Sequence, residues 1–330
     1  MLKQIDQDSL IIVNEETCQQ IVSDAEAFTA VQDIFAAMAR DDAYNFPVIR
    51  EAIGYADALY GFKSGFDKAG KTLGVKSGGY WPGNANKGLT NHQSTVFLFD
   101  PDTGRLQALV AGNYLTAVRT AASSAVSINA LARSDAKVLG MVGAGHQSTF
   151  QLRAAVRQRA FEKVVAWNPH PEMLPRLQSV AEELGIDFEA VDREVLGAQA
   201  DVIITITSAF EPLLKAEWIK PGTHLACMGT DTVGKQEVAS ALVAQATVFT
   251  DEVAQSISLG EAQHGIAEGL IGEQDITPIG KVLNGDHVGR KSDEEITLFD
   301  GTGVGLQDLA VACVVAKAAR EQGLGTLAAL

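Results

Sequence analysis

The sequence predicts an α/β protein whose second half forms a doubly wound parallel sheet. From Ala136 onward, short apolar runs that are typical of buried strands alternate with segments of helical periodicity. The runs that we predict to be strands are residues 137–142, 164–167, 201–206, 224–228 and 247–250. Residues 147–158 and 171–184 are predicted helices between the first three of them. Strands joined by helical crossovers in this way lie parallel in one sheet.

The first half of the chain has a different pattern. Ser23 and Glu26 form an S-x-x-E capping box, which predicts a helix beginning after Ser23. Short β-like runs punctuated by glycine follow from Pro47, and residues 95–99, a turn at 100–104 and residues 106–110 predict a hairpin. Residues 115–133 are predicted to be helical, as is the tail at 307–320, which need not belong to the parallel sheet.

Length and composition restrict the class of protein. A chain of 330 residues predicts about two domains. The net charge of −15 argues against partners that need clustered basic surface, such as nucleic acid or anionic membranes. The sequence contains no uninterrupted apolar run long enough to span a bilayer. Its start, MLKQIDQDSL, lacks the basic and then apolar pattern of a secretory leader, and the three cysteines form no C-x-x-C pair. We therefore expect a cytoplasmic protein with reduced thiols.

The most informative motif is the glycine turn from Gly143 to Ser148, Gly-Ala-Gly-His-Gln-Ser. It follows a predicted strand and opens a predicted helix, which is the setting that a Rossmann-type dinucleotide motif requires. Gly143 permits a tight turn, Gly145 lets the backbone approach a pyrophosphate, and Ser148 is small enough for helix–strand packing. The alternative is a purely structural turn. The motif predicts a nicotinamide dinucleotide as cofactor.

The residue that ends the second predicted strand of this half bears on the choice between NAD and NADP. A carboxylate there binds the ribose 2′-hydroxyl, whereas a nearby arginine accommodates a 2′-phosphate. This chain has Asn168, which can bond a hydroxyl, and no arginine stands next to it in the sequence. We expect NAD, with NADP as the open alternative.

Three cations in the first half lie in apolar or small-residue sequence, namely Arg50, Lys76 and Arg119. An acidic protein that binds a small carboxylate needs such local positive charge, although each cation could instead form a buried structural ion pair. His92 and Ser94, two residues apart at the entry to a strand, are expected to share one face. They are candidates for binding a second acidic group, or for capping the loop.

In the second half, the string that starts at Met228 and Gly229 follows a predicted strand end, where open α/β sheets bind ligands. Asp231 in this string is a candidate proton donor or acceptor, with a helix N-cap as its structural alternative. The histidines show no spacing typical of metal ligands, so no metal is expected.

Five ordered strings together resemble the ornithine cyclodeaminase/μ-crystallin family. They are GVKSGGYWPGN, TGRLQALVAGNYLTAVRTAA, VLGMVGAGHQS, MGTDTVGKQE and LFDGTGVGLQDLA. The resemblance implies a homodimer with a Rossmann domain (residues 121–312) inserted into an α+β domain (residues 1–120 and 313–330) that binds substrate and forms the dimer.

The resemblance also assigns roles to residues. It implies that Arg50, Lys76 and Arg119 surround the substrate carboxylate and that Asp231, together with Lys76, is catalytic. The resemblance further places a set of residues along the dinucleotide. Together with the residues of the glycine turn and of the Met228 string, the expected cofactor-binding residues are Thr95, Arg119, Gly143, Gly145, His146, Gln147, Asn168, Thr207, Met228, Gly229, Lys235 and Thr302.

Family members include imine reductases, alanine dehydrogenases, cyclodeaminases and a crystallin, so the reaction does not follow from the fold. Two departures favour the reductase branch: the long string GLTNHQSTV, which carries His92 and Ser94, and GTDTVG around Asp231. We expect reduction of the imine of a small 2-oxo acid, with iminosuccinate to L-aspartate as the candidate reaction. The alternatives are an ornithine- or lysine-type cyclodeaminase that uses NAD catalytically, and a non-catalytic crystallin-like binder.

Overall fold

The computed structural model describes residues 9–329. The expectation about a secretory leader falls mainly on residues 1–8, which lie outside the described residues. The strands are β1 (Leu10–Val13), β2 (Ala43–Asn45), β3 (Ile49–Ala52), β4 (Leu59–Asp67), β5 (Thr72–Tyr80), β6 (His92–Phe99), β7 (Leu106–Ala111), β8 (Val138–Val142), β9 (Lys163–Trp167), β10 (Asp187–Ala190), β11 (Val202–Thr205), β12 (Phe210–Leu214), β13 (His224–Cys227), β14 (Gln236–Val238), β15 (Thr247–Thr250), β16 (Ile276–Pro278), β17 (Thr297–Asp300) and β18 (Thr326–Ala328).

The helices are α1 (Glu15–Ile21), α2 (Asp24–Ala39), α3 (Asn113–Leu131), α4 (Ser148–Ala155), α5 (Pro175–Glu183), α6 (Arg193–Gln199), α7 (Ser240–Gln245), α8 (Val253–Leu259), α9 (Gln263–Ala267), α10 (Ile279–Leu283) and α11 (Gly305–Gln322). Helix α2 begins with the capping box that the sequence predicts, because Ser23 and Glu26 bond each other's backbone N–H groups. Within residues 9–329, no helix is both long and apolar enough to cross a membrane.

The chain forms two compact units. Unit 1 contains the described residues up to Arg119 and from Val304 onward, and unit 2 contains Thr120–Gly303. The first boundary lies beside the expected position 120, whereas the second precedes the expected position 313. The reason is that α11 is one continuous helix from Gly305 and packs on β4, β5 and α2 of unit 1. A boundary at 313 would cut this helix.

Unit 1 is built on an eight-stranded sheet in the order β18-β1-β7-β6-β5-β4-β2, with β3 also paired to β4. Its pairs are antiparallel except for β1 with β7. Strands β4 and β5 form a long hairpin of nine residues each, where the sequence predicts short runs. The glycines that suggest interruptions lie inside these strands. A Cβ atom at Gly74 would lie 2.8 Å from Leu309 Cδ2, so this glycine lets α11 pack closely on the sheet.

Unit 2 confirms the predicted doubly wound fold. Its eight parallel strands are ordered β10-β9-β8-β11-β13-β17-β15-β16, with a further small β12–β14 pair. The order reverses between β8 and β11, which is the position where such sheets bind ligands. Buried apolar side chains of β8, β11, β13 and β17, such as Val142, Ile203, Leu225 and Leu298, contribute to its core. Strand β17 lies in the middle of the sheet, although the sequence pattern did not predict it as a strand.

Candidate active site

The glycine turn joins β8 to α4 at the switch point of the unit 2 sheet. Gly143 has φ +109°, and a Cβ atom there would lie 2.6 Å from the backbone oxygen of Ile206, so only glycine fits. A Cβ atom at Gly145 would meet nothing within 4 Å. Ser148 is fully buried, and its Oγ donates to the Gly145 oxygen at 2.7 Å. The turn is therefore tightly packed at Gly143 and Ser148, whereas the space next to Gly145 is open. This open space fits the close approach of a pyrophosphate.

Two side chains next to Gly145 differ in environment. The pKa of His146 is lowered, first by partial burial of its ring and then by the charge of Arg176. The Oε1 atom of Gln147 is buried and has no hydrogen-bond partner among the described residues. A buried acceptor without a partner costs free energy, so Gln147 fits a ligand-binding position.

Asn168 directly follows β9 and connects this strand to the glycine turn. Its Oδ1 accepts from Ala144 N at 3.0 Å, and its Nδ2 donates to the His170 oxygen at 2.8 Å. The amide thus has a structural role that sequence reasoning did not include. An arginine also lies near the turn, because Arg176 Nη1 donates to the Ala144 oxygen at 3.5 Å.

A surface pocket of about 470 Å³ adjoins Asn168 at the ends of β9 and β10. It is lined by apolar groups such as Trp167 and Leu174 and by the carboxylates of Glu189 and Asp192. Glu189 is ion-paired with Lys163, so Asp192 is the lining carboxylate that disfavours a phosphate group and favours a hydroxyl. The pocket therefore fits NAD better than NADP, in spite of Arg176.

The loops after β11 and β13 are connected by one buried carboxylate. Glu237 is fully buried and accepts from Thr207 N at 2.6 Å, from Thr207 Oγ1 at 2.8 Å and from Gly229 N at 2.8 Å. Burial raises the pKa of Glu237, while these hydrogen bonds act in the opposite direction. Two of the predicted dinucleotide positions, Thr207 and Gly229, are thus held by a residue that the sequence analysis did not single out. Glu237 ends the MGTDTVGKQE string, and an acid in a string that carries other site residues is the signal that could have identified it.

Thr302 and Met228 are also held firmly within unit 2. Thr302 Oγ1 donates to Asp251 Oδ1 at 2.6 Å, and Thr302 N donates to the same atom at 3.1 Å. Met228 is buried beside Gly301, where a Cβ atom would lie 2.6 Å from the Met228 sulfur. Both residues follow central strands, at the sheet edge that carries Gly143.

Asp231 lies in the loop after β13 and forms an ion pair with Lys235, with 2.8 Å between Oδ1 and Nζ. Lys235 also donates to the Gly229 oxygen at 3.2 Å, so it fixes both the carboxylate and its loop. No helix starts at Asp231, because the next element is strand β14. The N-cap alternative for Asp231 is therefore wrong.

Unit 1 contains a buried cluster of opposite charges. Asp308, on α11, accepts from Arg119 Nε at 3.0 Å through Oδ1 and lies 2.8 Å from Lys76 Nζ through Oδ2. Arg119 Nη1 also donates to Gln307 Oε1 at 2.9 Å, and Lys76 Nζ donates to Thr116 Oγ1 at 3.4 Å. Lys76 and Arg119 are each only 6% exposed. Lys76 and Arg119 thus form the buried ion pairs that were the structural alternative for them. However, both cations share the single carboxylate of Asp308.

The electrostatics of the cluster follow from this burial. Desolvation lowers the pKa of Lys76 to about 7, with Asp308 opposing this effect and Arg119 and Lys63 adding to it. Burial alone would raise the pKa of Asp308, yet Arg119 and Lys76 hold it below its ordinary value. An anionic ligand would favour the protonated form of Lys76.

Strand register places further candidates beside Lys76. His92 and Ser94 lie on β6 opposite Tyr80 and Gly78 of β5, on the face that carries Lys76. Burial lowers the pKa of His92 to about 3, and the charge of Lys76 contributes, so the imidazole is neutral at physiological pH. Ser94 Oγ is buried without a hydrogen-bond partner among residues 9–329.

Arg50 shares this face and Thr95 does not. Arg50 lies on β3 opposite Gly61, which in turn lies opposite Gly78. Thr95 lies opposite Ser77, on the other face of the sheet. The structure therefore brings Arg50, Lys76, His92, Ser94 and Arg119 to one side of unit 1, and the predicted contact of Thr95 with the dinucleotide stays a prediction.

Among the described residues, no group of three His, Cys, Asp or Glu side chains could hold a metal ion. The three cysteines form no disulfide, and Cys18 and Cys227 are buried. Burial raises the pKa of the Cys18 thiol to about 12, so it is not a nucleophile at neutral pH.

The fold and these residues define a Rossmann-type protein with a dinucleotide turn in one unit and a cationic cluster in the other. The chain belongs to the ornithine cyclodeaminase/mu-crystallin family, whose profile matches residues 64–323. It is 61% identical to an iminosuccinate reductase of Paracoccus denitrificans over 96% of this chain and 98% of that protein. It is also 33% identical to an alanine dehydrogenase of Archaeoglobus fulgidus, over 96% of this chain and 97% of the relative.

Solved structures of proteins from this family are also similar to this chain. The crystal structure of the Paracoccus denitrificans iminosuccinate reductase in complex with NAD⁺ matches with a TM-score of 0.94 and 59% identity, over 98% of this chain and all of that one. An archaeal alanine dehydrogenase dimer with bound NAD matches with a TM-score of 0.92 and 32% identity, over 98% and 99% of the two chains.

Proposed function

We propose that this protein is an NAD-dependent imine reductase that converts the imine of a dicarboxylic 2-oxo acid, iminosuccinate, into L-aspartate. The observation that carries the proposal is the buried Lys76–Arg119–Asp308 cluster, in which two cations share one carboxylate. The 61% identity to an iminosuccinate reductase along the whole chain supports this substrate. Unit 1 is the proposed substrate-binding and dimerisation domain, and unit 2 is the proposed dinucleotide-binding domain.

In unit 1, Lys76 and Arg119 bind a substrate carboxylate and orient the imine carbon. Both side chains are held in place before substrate arrives, because Asp308, Gln307 and Thr116 fix them by ion pairs and hydrogen bonds. Pre-organised cations lose little entropy on binding, and correct orientation of the reacting carbon supplies a large part of the rate enhancement. Arg50 adds a further cation on the same face.

In unit 2, the open turn at Gly145, the unpartnered Gln147 and the carboxylate-lined pocket beside Asn168 fit NAD. Bound NADH supplies the hydride for reduction of the imine carbon. Asp231, oriented by Lys235, stabilises the positive charge of the protonated imine nitrogen and so keeps the carbon electrophilic.

The proposed enzyme is a homodimer in the cytoplasm. Tyr44, Ile49 and Phe62 lie on the sheet face opposite to that of Lys76 and are 44%, 52% and 39% exposed. Apolar side chains exposed together on a sheet indicate an interaction surface. The matching archaeal alanine dehydrogenase is a dimer, which supports the same assembly here.

Oxidation of NADH tests the proposal when purified protein is given oxaloacetate, pyruvate or glyoxylate, each with ammonium or methylamine. We expect ammonium-dependent oxidation that is fastest with oxaloacetate, and much slower oxidation with NADPH. Ammonia release from ornithine without net change in NADH would indicate a cyclodeaminase instead. Tight NADH binding without turnover of any imine would indicate a binding protein.

A further inference from the structure

We propose that Glu261 is a positioning residue, which holds the loop of Asp231 in the conformation that reduction of the imine requires. This inference rests on the proposed function, because it depends on the role that we assign to Asp231. The Asp231 loop (residues 228–235) connects β13 to β14. Glu261 lies between α8 and α9, and its side chain is fully buried. A catalytic side chain is effective only where its supporting contacts hold it in place.

Glu261 is hydrogen-bonded to the chain on both sides of Asp231. Its Oε1 accepts from the backbone N–H groups of Glu237 and Val238 at 2.9 and 2.7 Å, just after the loop. Its Oε2 accepts from Oγ1 of Thr230, the residue immediately before Asp231. One side chain therefore connects the two arms of the loop, and Asp231 lies between its contacts.

Gln263 and His264 hold the second arm of the loop in addition. Gln263 Oε1 accepts from Gly234 N at 2.8 Å, and Gln263 Nε2 donates to the Lys235 oxygen at 3.3 Å. His264 Nε2 lies 3.1 Å from the same oxygen. The backbone of Lys235 is thus fixed, and its ammonium group forms the ion pair with Asp231. The segment between α8 and α9 and the start of α9 therefore hold both the loop and the partner of the carboxylate.

Glu237 and Glu261 hold different parts of unit 2. The side chain of Glu237 accepts from Thr207 and Gly229, which are proposed dinucleotide positions. Glu261 binds the backbone of Glu237, so the side-chain contacts of Glu237 do not depend on it directly. Loss of Glu261 should therefore displace Asp231 while the dinucleotide positions stay in place. This separates an effect on turnover from an effect on cofactor affinity.

A neutral side chain fits the position of Glu261. Burial raises the pKa of Glu261 to about 8, and the charges of Glu237 and Asp300 add to this effect, so its carboxyl group is mostly protonated at neutral pH. A glutamine amide keeps an acceptor for the two backbone N–H groups, and its NH₂ group can donate to the Thr230 hydroxyl. Glu261→Gln is therefore the conservative variant, whereas Glu261→Ala removes all three hydrogen bonds.

The test compares kcat, the dissociation constant of NADH and the melting temperature in wild type, Glu261→Ala, Glu261→Gln and Asp201→Ala. Asp201→Ala is the matched control, because the buried Asp201 also accepts from two consecutive backbone N–H groups, those of Lys137 and Val138. Asp201 directly precedes β11, so it lies at the opposite end of the parallel strands from the Asp231 loop.

In Glu261→Ala, we expect kcat of ammonium-dependent NADH oxidation with oxaloacetate to fall about 10- to 100-fold, which is the effect of misplacing a catalytic group by about 1 Å. The dissociation constant of NADH should change less than about threefold. Both Glu261→Gln and Asp201→Ala should keep kcat near the wild-type value, even where Asp201→Ala lowers the melting temperature. A wild-type kcat in Glu261→Ala, or equal losses of kcat in Glu261→Ala and Asp201→Ala, would overturn the assignment.

Hydrogen–deuterium exchange gives a second readout that needs no turnover. Exchange of the backbone of residues 229–238 should be faster in Glu261→Ala and in Thr230→Val than in wild type, and unchanged in Asp201→Ala. Thr230→Val removes only one hydrogen bond of Glu261, so it decides the question if Glu261→Ala does not fold. A wild-type enzyme without ammonium-dependent NADH oxidation would contradict the proposed function, and the exchange of this segment would then still show whether Glu261 holds the Asp231 loop.

Discussion

Lys76 Nζ lies 2.8 Å from Asp308 Oδ2, and both side chains are almost completely buried in unit 1. Asp308 comes from the C-terminal helix α11, whereas Lys76 comes from the central strand β5. The contact therefore joins two distant parts of the sequence at the proposed substrate carboxylate. From this contact we predict an effect on stability and an effect on ligand binding, which can be tested separately.

Removing the charge of Asp308 should destabilise the protein strongly. Asp308→Asn leaves Lys76 and Arg119 buried without a counter-charge, and we expect a loss of about 3–5 kcal/mol in the free energy of unfolding. Urea unfolding followed by fluorescence measures it. Asp102→Asn, which removes an exposed ion pair with Lys71, is the control and should cost less than about 0.5 kcal/mol. A loss below about 1 kcal/mol in Asp308→Asn would show that the buried cations do not depend on it.

The affinity for dicarboxylates should fall as the pH rises above neutrality. Lys76 has a pKa of about 7 and is charged below that value. Succinate stays a dianion over this range and raises the pKa of Lys76 when bound. Its inhibition constant should therefore change little between about pH 6 and 7 and rise, by up to about tenfold per pH unit, above pH 7.

Lys76→Arg is the control for this pH dependence, because arginine stays charged to high pH. Its succinate inhibition constant should not change between pH 6 and 9, even where its absolute value differs from wild type. The same pH profile in both proteins would assign the titration to another group.

Asp231 should affect catalysis more than cofactor binding. Asp231→Asn removes the negative charge that we propose to stabilise the protonated imine, and we expect kcat to fall about 100-fold or more. The dissociation constant of NADH, measured by fluorescence titration, should change less than about threefold, since the glycine turn and the Asn168 pocket are intact. Unchanged turnover in this variant would remove Asp231 from the mechanism.

The two glycines of the turn should respond differently to substitution. Gly145→Val fills the open space above the turn, so NADH should bind at least about 30-fold more weakly while the melting temperature stays the same. Gly143→Ala places a Cβ against Ile206 at a positive φ and should destabilise the fold by about 1–3 kcal/mol. Normal NADH binding by Gly145→Val would show that the dinucleotide lies elsewhere.

The apolar face of the unit 1 sheet should hold the proposed dimer together. Phe62→Glu places a charge on this face, and light scattering after gel filtration should then show a monomer. Tyr55→Glu is the control, because Tyr55 is 78% exposed in the turn before β4 and should leave the dimer intact. A dimer that persists in Phe62→Glu would place the interface on another surface.

Much of unit 2 could be predicted from the sequence, because its strands are continuous apolar runs and its helices are periodic. Residues 247–250 form β15 as predicted, and β8, β9, β11 and β13 differ from prediction by one residue at one or both ends. Strand β17 was not predicted, since its four residues include Asp300, whose charge obscures a buried run. The pKa of Asp300 is raised to about 7 by burial, which explains how a carboxyl group is tolerated there.

The site was harder to predict than the fold. Single cations in apolar sequence indicated Lys76 and Arg119, but Asp308 and Glu237 depend on contacts between residues far apart in sequence. The long hairpin of β4 and β5, which carries Lys76, was not predicted, because its glycines suggested interruptions between short strands. The periodicity of apolar residues predicts helices and strands. The partners of buried charged side chains can be identified only from the tertiary structure.

The most direct test of the central claim is isotope transfer to the product. The protein is incubated with oxaloacetate, ¹⁵N-ammonium and NADH deuterated at C4, and the product is analysed by mass spectrometry and NMR. We predict L-aspartate with deuterium at C2 and ¹⁵N at the amine, formed in equal amount to the NADH consumed. Deuterated malate, or no product that contains both isotopes, would contradict the assignment of this protein as an imine reductase.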